Sequence, residues 1–206
     1  MNRSVCRWAA GLALAVGLYV VSSPALVRGD DEDEMQKKAT LAARADILKL
    51  NGLKGADLKK AAEALAKKHS IEYVMYTFKP RSKNGVGVGK PADKISPDGI
   101  ETYLLQKLAK GKRPPLELEK NRDALIKMSQ ITGDIAAITH YYKPDKAKPG
   151  KLPADWTKFT KEMEEGSQDL LKALEPKKPD ADKVFKAAQR LNASCADCHA
   201  MFRDDK

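Results

Sequence analysis

Cysteine, histidine and aromatic residues are scarce in this 206-residue chain: three Cys, three His, and 6 % Phe, Trp and Tyr together. So few cysteines exclude a disulfide framework, and stability must come from a packed core and from whatever the cysteines hold. The three histidines, His69, His140 and His199, are far apart in sequence, and none has a second histidine beside it. No stretch alternates as a strand does, and no internal repeat is visible. There is no nucleophile–base constellation and no carboxylate pair that demands one, so no organic reaction is predicted and the chain reads as a non-enzyme. The one long apolar run, residues 8–21, is short for a membrane span.

What is abundant is positive charge: 38 Lys and Arg against 28 Asp and Glu, a formal net charge of +10. The lysines are interleaved with acidic residues along helical stretches. That pattern reads as a solvated face rather than a nucleic-acid surface, and no nucleic-acid motif accompanies it. An acidic protein partner suits the charge, and nucleic acid does not. Gly85-Val86-Gly87-Val88-Gly89-Lys90 superficially has the look of a phosphate loop. Asn84 and Pro91 stand where such a loop needs Gly and Ser or Thr, so the stretch reads as a connector.

The first 29 residues read as an export signal. Arg3 and Arg7 form a basic start, residues 8–21 the apolar run, and residues 22–29 a small-residue region with cleavage after Ala25 or Gly29. Cys6 leaves with this leader. The expected location is therefore periplasmic or otherwise exported, with no stable membrane span after cleavage. Domain organisation follows: 1–29 signal peptide, 30–56 an N-terminal extension helix, and 57–206 one bundle domain.

The two remaining cysteines both lie in Cys195-Ala196-Asp197-Cys198-His199. This is the C-x-x-C-H spacing at which a chain takes up c-type haem. Two thiols add across the porphyrin vinyl groups, and the histidine binds iron from one axial side. On a helix Cys195 and His199 share a face at i and i+4, with Cys198 beside them. A plain disulfide, a thioredoxin-like redox pair and half of a zinc site compete with haem. The redox reading wants a βαβ setting and the zinc reading a fourth ligand, and neither is evident.

Periodicity predicts an all-α chain. A helix covers 35–50 and ends at Asn51-Gly52. Another runs from the Asp57 cap to about residue 78, with Leu58, Ala62, Leu65 and His69 on one face. Ser96-Pro97 opens a short helix with Ile100, Leu104 and Leu108 aligned. Helices follow over 115–143, 153–175 and 180–203. The prediction is an antiparallel four-helix bundle built from 57–78, 115–143, 153–175 and 180–203, with the Gly-rich loop and the short helix (about 79–113) inserted between the first and second. In that arrangement Tyr141, Tyr142, Trp156, Phe159 and Phe202 gather at the pentapeptide end as walls for a flat macrocycle.

A C-terminal C-x-x-C-H on the last helix of such a bundle resembles the cytochrome c-prime family, the class II c-type cytochromes. The resemblance extends through Ala200-Met201-Phe202-Arg203, with an aromatic and then Arg after the haem histidine. It includes Leu152-Pro153-Ala154-Asp155-Trp156 with Phe159, and covers about residues 114–206. It implies thioethers at Cys195 and Cys198, His199 as proximal iron ligand, and Arg203 on the proximal side, where positive charge favours ferrous iron. It implies either electron transfer to a redox partner or binding of a small gas, with a haem enzyme and a zinc protein as rivals. Family members often pair through their first two helices, so the resemblance also implies a homodimer, with the insertion falling between those two helices here.

The sixth ligand decides between these roles. Leu58, Ala62 and Leu65 predict an open apolar site. Met35 reaches the iron if its helix folds over the haem end. Met75 lies at the far end unless the first helix is placed differently. His140 sits at the haem end by topology, although a lone histidine is more often not a ligand.

Overall fold

A computed structural model describes residues 29–144 and 152–202. Residues 1–28, all but the last residue of the expected export signal, and Arg203 therefore lie outside the described residues. The fold is all-helical, with no strand among those residues. Its helices are α1 (Gly29–Lys49), α2 (Gly55–Lys68), α3 (Ile71–Tyr76), α4 (Ile100–Tyr103, continued by a π-helical stretch Leu104–Ala109), α5 (Pro115–Thr139, extended by a 3-10 turn His140–Tyr142), α6 (Pro153–Leu174) and α7 (Ala181–Phe202). No helix among them is long and apolar enough to cross a membrane.

The last three helices begin and end close to where the sequence placed them. Pro115 and Pro153 each sit in the first turn, where the missing N–H costs nothing. Asp180 caps α7, its Oδ1 accepting from the amides of Asp182 and Lys183 at 2.8 and 3.1 Å. Their apolar stripes bury Leu125, Ile131, Ile135, Ile138, Leu170, Leu174, Ala188 and Leu191.

α5 and α6 run antiparallel. Arg122 near the start of α5 donates to the carbonyls of Leu174, Glu175 and Pro176 at the end of α6. At the opposite end Trp156 Nε1 donates to the Thr139 carbonyl at 3.0 Å. Between them Ser129 Oγ donates to the Ser167 carbonyl at 2.9 Å.

α6 and α7 are equally antiparallel. Arg190 is tied to Glu162, Glu165 and Asp169 on α6. The two backbones approach closely at Gly166, where a Cβ would stand 3.0 Å from Leu191 Cα and 3.1 Å from its N. Gly166→Ala is expected to force the helices apart and cost about 1–2 kcal/mol, because the obstacle is backbone and outweighs alanine's better helix propensity. Thermal denaturation checks this, and an unchanged or raised Tm would show that the interface yields freely.

Two features differ from the sequence expectation. The helix predicted over 57–78 is broken: His69 and Ser70 adopt extended backbone (φ −116, ψ 146 and φ −72, ψ 152) between α2 and α3. Apolar periodicity continues across the break, so only Ser70, a residue type favoured at helix starts, marks it in sequence. Secondly, Tyr142 Oη donates to the His69 carbonyl at 2.6 Å. The end of α2 thus lies at the end of α5, not at its beginning as an up-down order from residue 57 requires.

The short helix predicted at 96–110 starts at Ile100, and its Ile100, Tyr103, Leu104 and Leu108 are core residues. Residues 104–109 pack on α7. The Gly-rich connector is folded and largely buried. Arg81 donates to the Asp98 carboxylate and to the Gly89 carbonyl. Gly87, at φ +78, passes directly beneath the Arg81 guanidinium, where a Cβ would come 2.4 Å from Cζ. Only glycine tolerates both the φ and the approach.

Candidate cofactor site

The last three turns of α7 carry Cys195, Cys198, His199 and Phe202, all half-buried. Helical geometry puts the two thiols and the imidazole within about one turn of each other. The thiols are unlinked. Burial pushes each up to about 11, so both are neutral.

Beside them, Phe202 packs edge-on against Trp156, with centroids 5.0 Å apart, and against Phe159, 6.4 Å apart. Trp156 is buried and Phe159 half-buried. Pro153 at the head of α6 and the Trp156–Thr139 hydrogen bond fix this wall. Thr160 Oγ1 accepts or donates across 3.5 Å to His140 Nδ1, behind the wall.

The other residues read from sequence are placed as follows. Tyr142 turns its hydroxyl to α2, and burial pushes it up to about 12. Tyr141 is exposed, edge-on to His140 at 5.7 Å. His140 is also exposed. Met35 lies on α1 with 61 % of its surface exposed. Met75 on α3 is half-buried against the core. Because His69 is tied to Tyr142, and Phe78 accepts from the Glu101 amide, residues 69–78 cross the pentapeptide end of the molecule. Met75 therefore lies at that end and not at the far one. Leu58 and Leu65 of α2 are half-buried and Ala62 is buried, all in the core with α5.

Sequence reasoning missed a polar node at the same end. Asp46, 8 % exposed, binds Lys49 Nζ at 2.7 Å, Lys68 Nζ at 2.7 Å and His69 Nε2 at 2.9 Å. Lys49, then Lys68 and His69, hold its carboxyl well below the usual carboxylate range. A histidine closing a Lys-rich helix was the one available signal, and its partner comes from another helix.

The group implied by the spacing is a c-type haem, and the residues present fit it. Two thiols and a nitrogen donor lie within about one turn of α7, next to an apolar aromatic wall suited to a flat macrocycle. They fit the competing groups less well. A reactive redox pair wants a thiolate stabilised at a helix start, whereas these thiols lie near a helix end. A structural zinc wants four ligands, of which the pentapeptide offers three. Compared with models of known families, with characterised proteins and with solved structures, the chain has no match.

Proposed function

We propose that this chain is an exported c-type cytochrome that carries one covalent haem. Cys195 and Cys198 form the thioethers and His199 is the proximal ligand. The observation that carries the reading is the joint placement of these three side chains on one half-buried face, beside Trp156, Phe159 and Phe202. When bound, haem iron supplies single-electron transfer and binding of small gases. The chain's own residues hold it, wall it and limit water around it. A redox partner with an acidic surface suits the exported chain, which keeps 35 Lys and Arg against 28 Asp and Glu once residues 1–29 are removed, a net charge of +7.

The bundle we propose around the haem differs from the one expected at first. Its four antiparallel elements are residues 100–109, α5, α6 and α7, with α1–α3 laid against α5 and across the haem end. Two contacts support it: Lys112 bonds Asp182 at the start of α7 at 2.6 Å, and Arg122 reaches the end of α6. On this reading residues 100–109, not 57–78, are the first bundle helix.

The test is expression with c-type haem maturation, followed by intact mass and by ferric and ferrous spectra with and without carbon monoxide. The expected result is a chain heavier by one haem after denaturation, with a Soret band. A carbon monoxide shift identifies an open site. A low-spin spectrum unmoved by carbon monoxide identifies a protein sixth ligand, and Met35, Met75 and His140 are then replaced in turn. A chain without covalent haem refutes the proposal.

A further inference from the structure

The pentapeptide end of α7 is faced by charged residues from another element. Lys112 Nζ lies 2.6 Å from Asp182 Oδ1 and 5.9 Å from the centroid of the Phe185 ring. Those contacts fix residue 112 against the start of α7. Residues 104–109 pack along α7, and Ile100, Tyr103, Leu104 and Leu108 face the core. Running back from residue 112 in the opposite sense to α7, the segment brings its beginning, Ile100 and Glu101, level with Cys195.

Glu101 is held there from two sides. Its amide donates to the Phe78 carbonyl at 3.4 Å, and its Oε2 lies 3.5 Å from Lys79 Nζ. The Arg81 clamp on Asp98 and Gly89 holds the chain just before α4. The Cys195 thiol, raised chiefly by burial, is raised further by Cys198 and by the Glu101 charge, in keeping with that placement.

We propose that Glu101 and Lys79 are a charge pair that sets the reduction potential of the centre held by Cys195, Cys198 and His199. This rests on the haem reading above. A fixed negative charge near an iron centre opposes the gain of an electron, and a positive charge favours it. The two act with opposite sign, and Lys79 tempers Glu101. Their side chains are 43 % and 39 % exposed, so solvent and salt weaken both effects. They tune the centre without contacting the reacting atom, and belong to its outer electrostatic surroundings.

The test is potentiometric titration of the matured holoprotein and its variants, each first shown by intact mass to carry covalent haem. Glu101→Gln is expected to raise the midpoint potential and Lys79→Met to lower it. At a fixed applied potential and low salt, each ferrous-to-ferric ratio changes about three- to tenfold. Both changes shrink in high salt. Glu101→Asp, which keeps the charge, is expected to stay near wild type. Unchanged potentials, or shifts of the same sign in both variants, would overturn the role and leave Glu101 a packing residue. Wild-type protein lacking covalent haem would instead overturn the underlying haem reading, and the mass measurement separates that failure from the first.

Discussion

Replacing both Cys195 and Cys198 with alanine is expected to abolish covalent haem altogether, so that denaturation returns the bare polypeptide mass. Each single replacement leaves one thioether. The spectrum of the reduced pyridine complex then shifts, because one vinyl group stays conjugated with the ring. The reason for an all-or-none effect is that Cys195 and Cys198 are the only cysteines besides Cys6, which falls in the expected export signal. No other thiol can substitute. Retention of covalent haem in the double variant would contradict the assignment outright. His199→Ala separates attachment from ligation: the thioethers remain, while the ferric and ferrous spectra lose the signature of a histidine-bound iron. The same variants report on stability. The described cysteines are unlinked, so there is no disulfide for the double variant to lose. Any fall in Tm between holoprotein and double variant is the contribution of the bound group.

Asp134→Asn is expected to change the pH dependence of stability by about 3 kcal/mol. Asp134 lies on α5 with 8 % of its surface exposed, and its Oδ2 has no hydrogen-bond partner among the described residues. Burial pushes its pKa from 3.8 up to about 6, and Lys127 offsets only part of that. Below about pH 3 the side chain is protonated in the folded chain and largely so in the unfolded one, and it has little effect on the balance. As pH rises from about 3 to 6 the unfolded chain releases the proton while the folded chain retains it. Stability therefore falls over that interval, and the full penalty is present at pH 7 and above. An asparagine of the same size does not titrate. Urea unfolding of both proteins between pH 3 and pH 8 should show the variant gaining about 3 kcal/mol relative to wild type across the series. Parallel pH profiles would show that Asp134 is solvated or paired after all. Asp46 acts in the opposite sense: its depressed pKa stabilises the fold at neutral pH, and that contribution is lost only in strong acid.

The parts of the fold that sequence conveyed are those where local signals and packing agree. α5, α6 and α7 have long runs at helical period, with prolines at or near their boundaries, and their inward faces are the ones the pattern marks. The break at His69 and Ser70 was hidden, because a hydrophobic stripe reports which residues are buried and not whether one helix or two supply them. The role of residues 100–109 was hidden for a related reason. A short leucine-rich helix looks the same whether it decorates a bundle or belongs to its core, and only the contacts with α7 distinguish these. At the candidate site, the spacing of Cys195, Cys198 and His199 is legible in the sequence itself, and the structure adds that the three share one half-buried stretch of α7. Trp156, Phe159 and Phe202 cluster as anticipated from their positions on antiparallel helices. Tyr142 stands at the anticipated end, but its hydroxyl turns to α2. The rotation of a helix terminus about its axis depends on which neighbour it meets, and sequence spacing carries no such information. Glu101 and Asp46 escaped notice because their partners, Lys79 and His69 among them, are brought close by tertiary structure.

The hydrogen bond from Tyr142 to His69 also bears on the order in which the chain assembles. It joins residues 73 positions apart, whereas the Trp156–Thr139 bond spans 17. Closing the longer loop costs about 4 kcal/mol of chain entropy against about 2.5 for the shorter, by the logarithmic part of the loop-closure relation. The hairpins of α5 with α6 and α6 with α7 need only neighbouring segments to meet. α1 and α2 must instead find a surface that exists only once the C-terminal half has formed. The expected order of assembly is thus asymmetric in time: the half that carries the pentapeptide supplies the template, and the N-terminal half, although synthesised first, docks last.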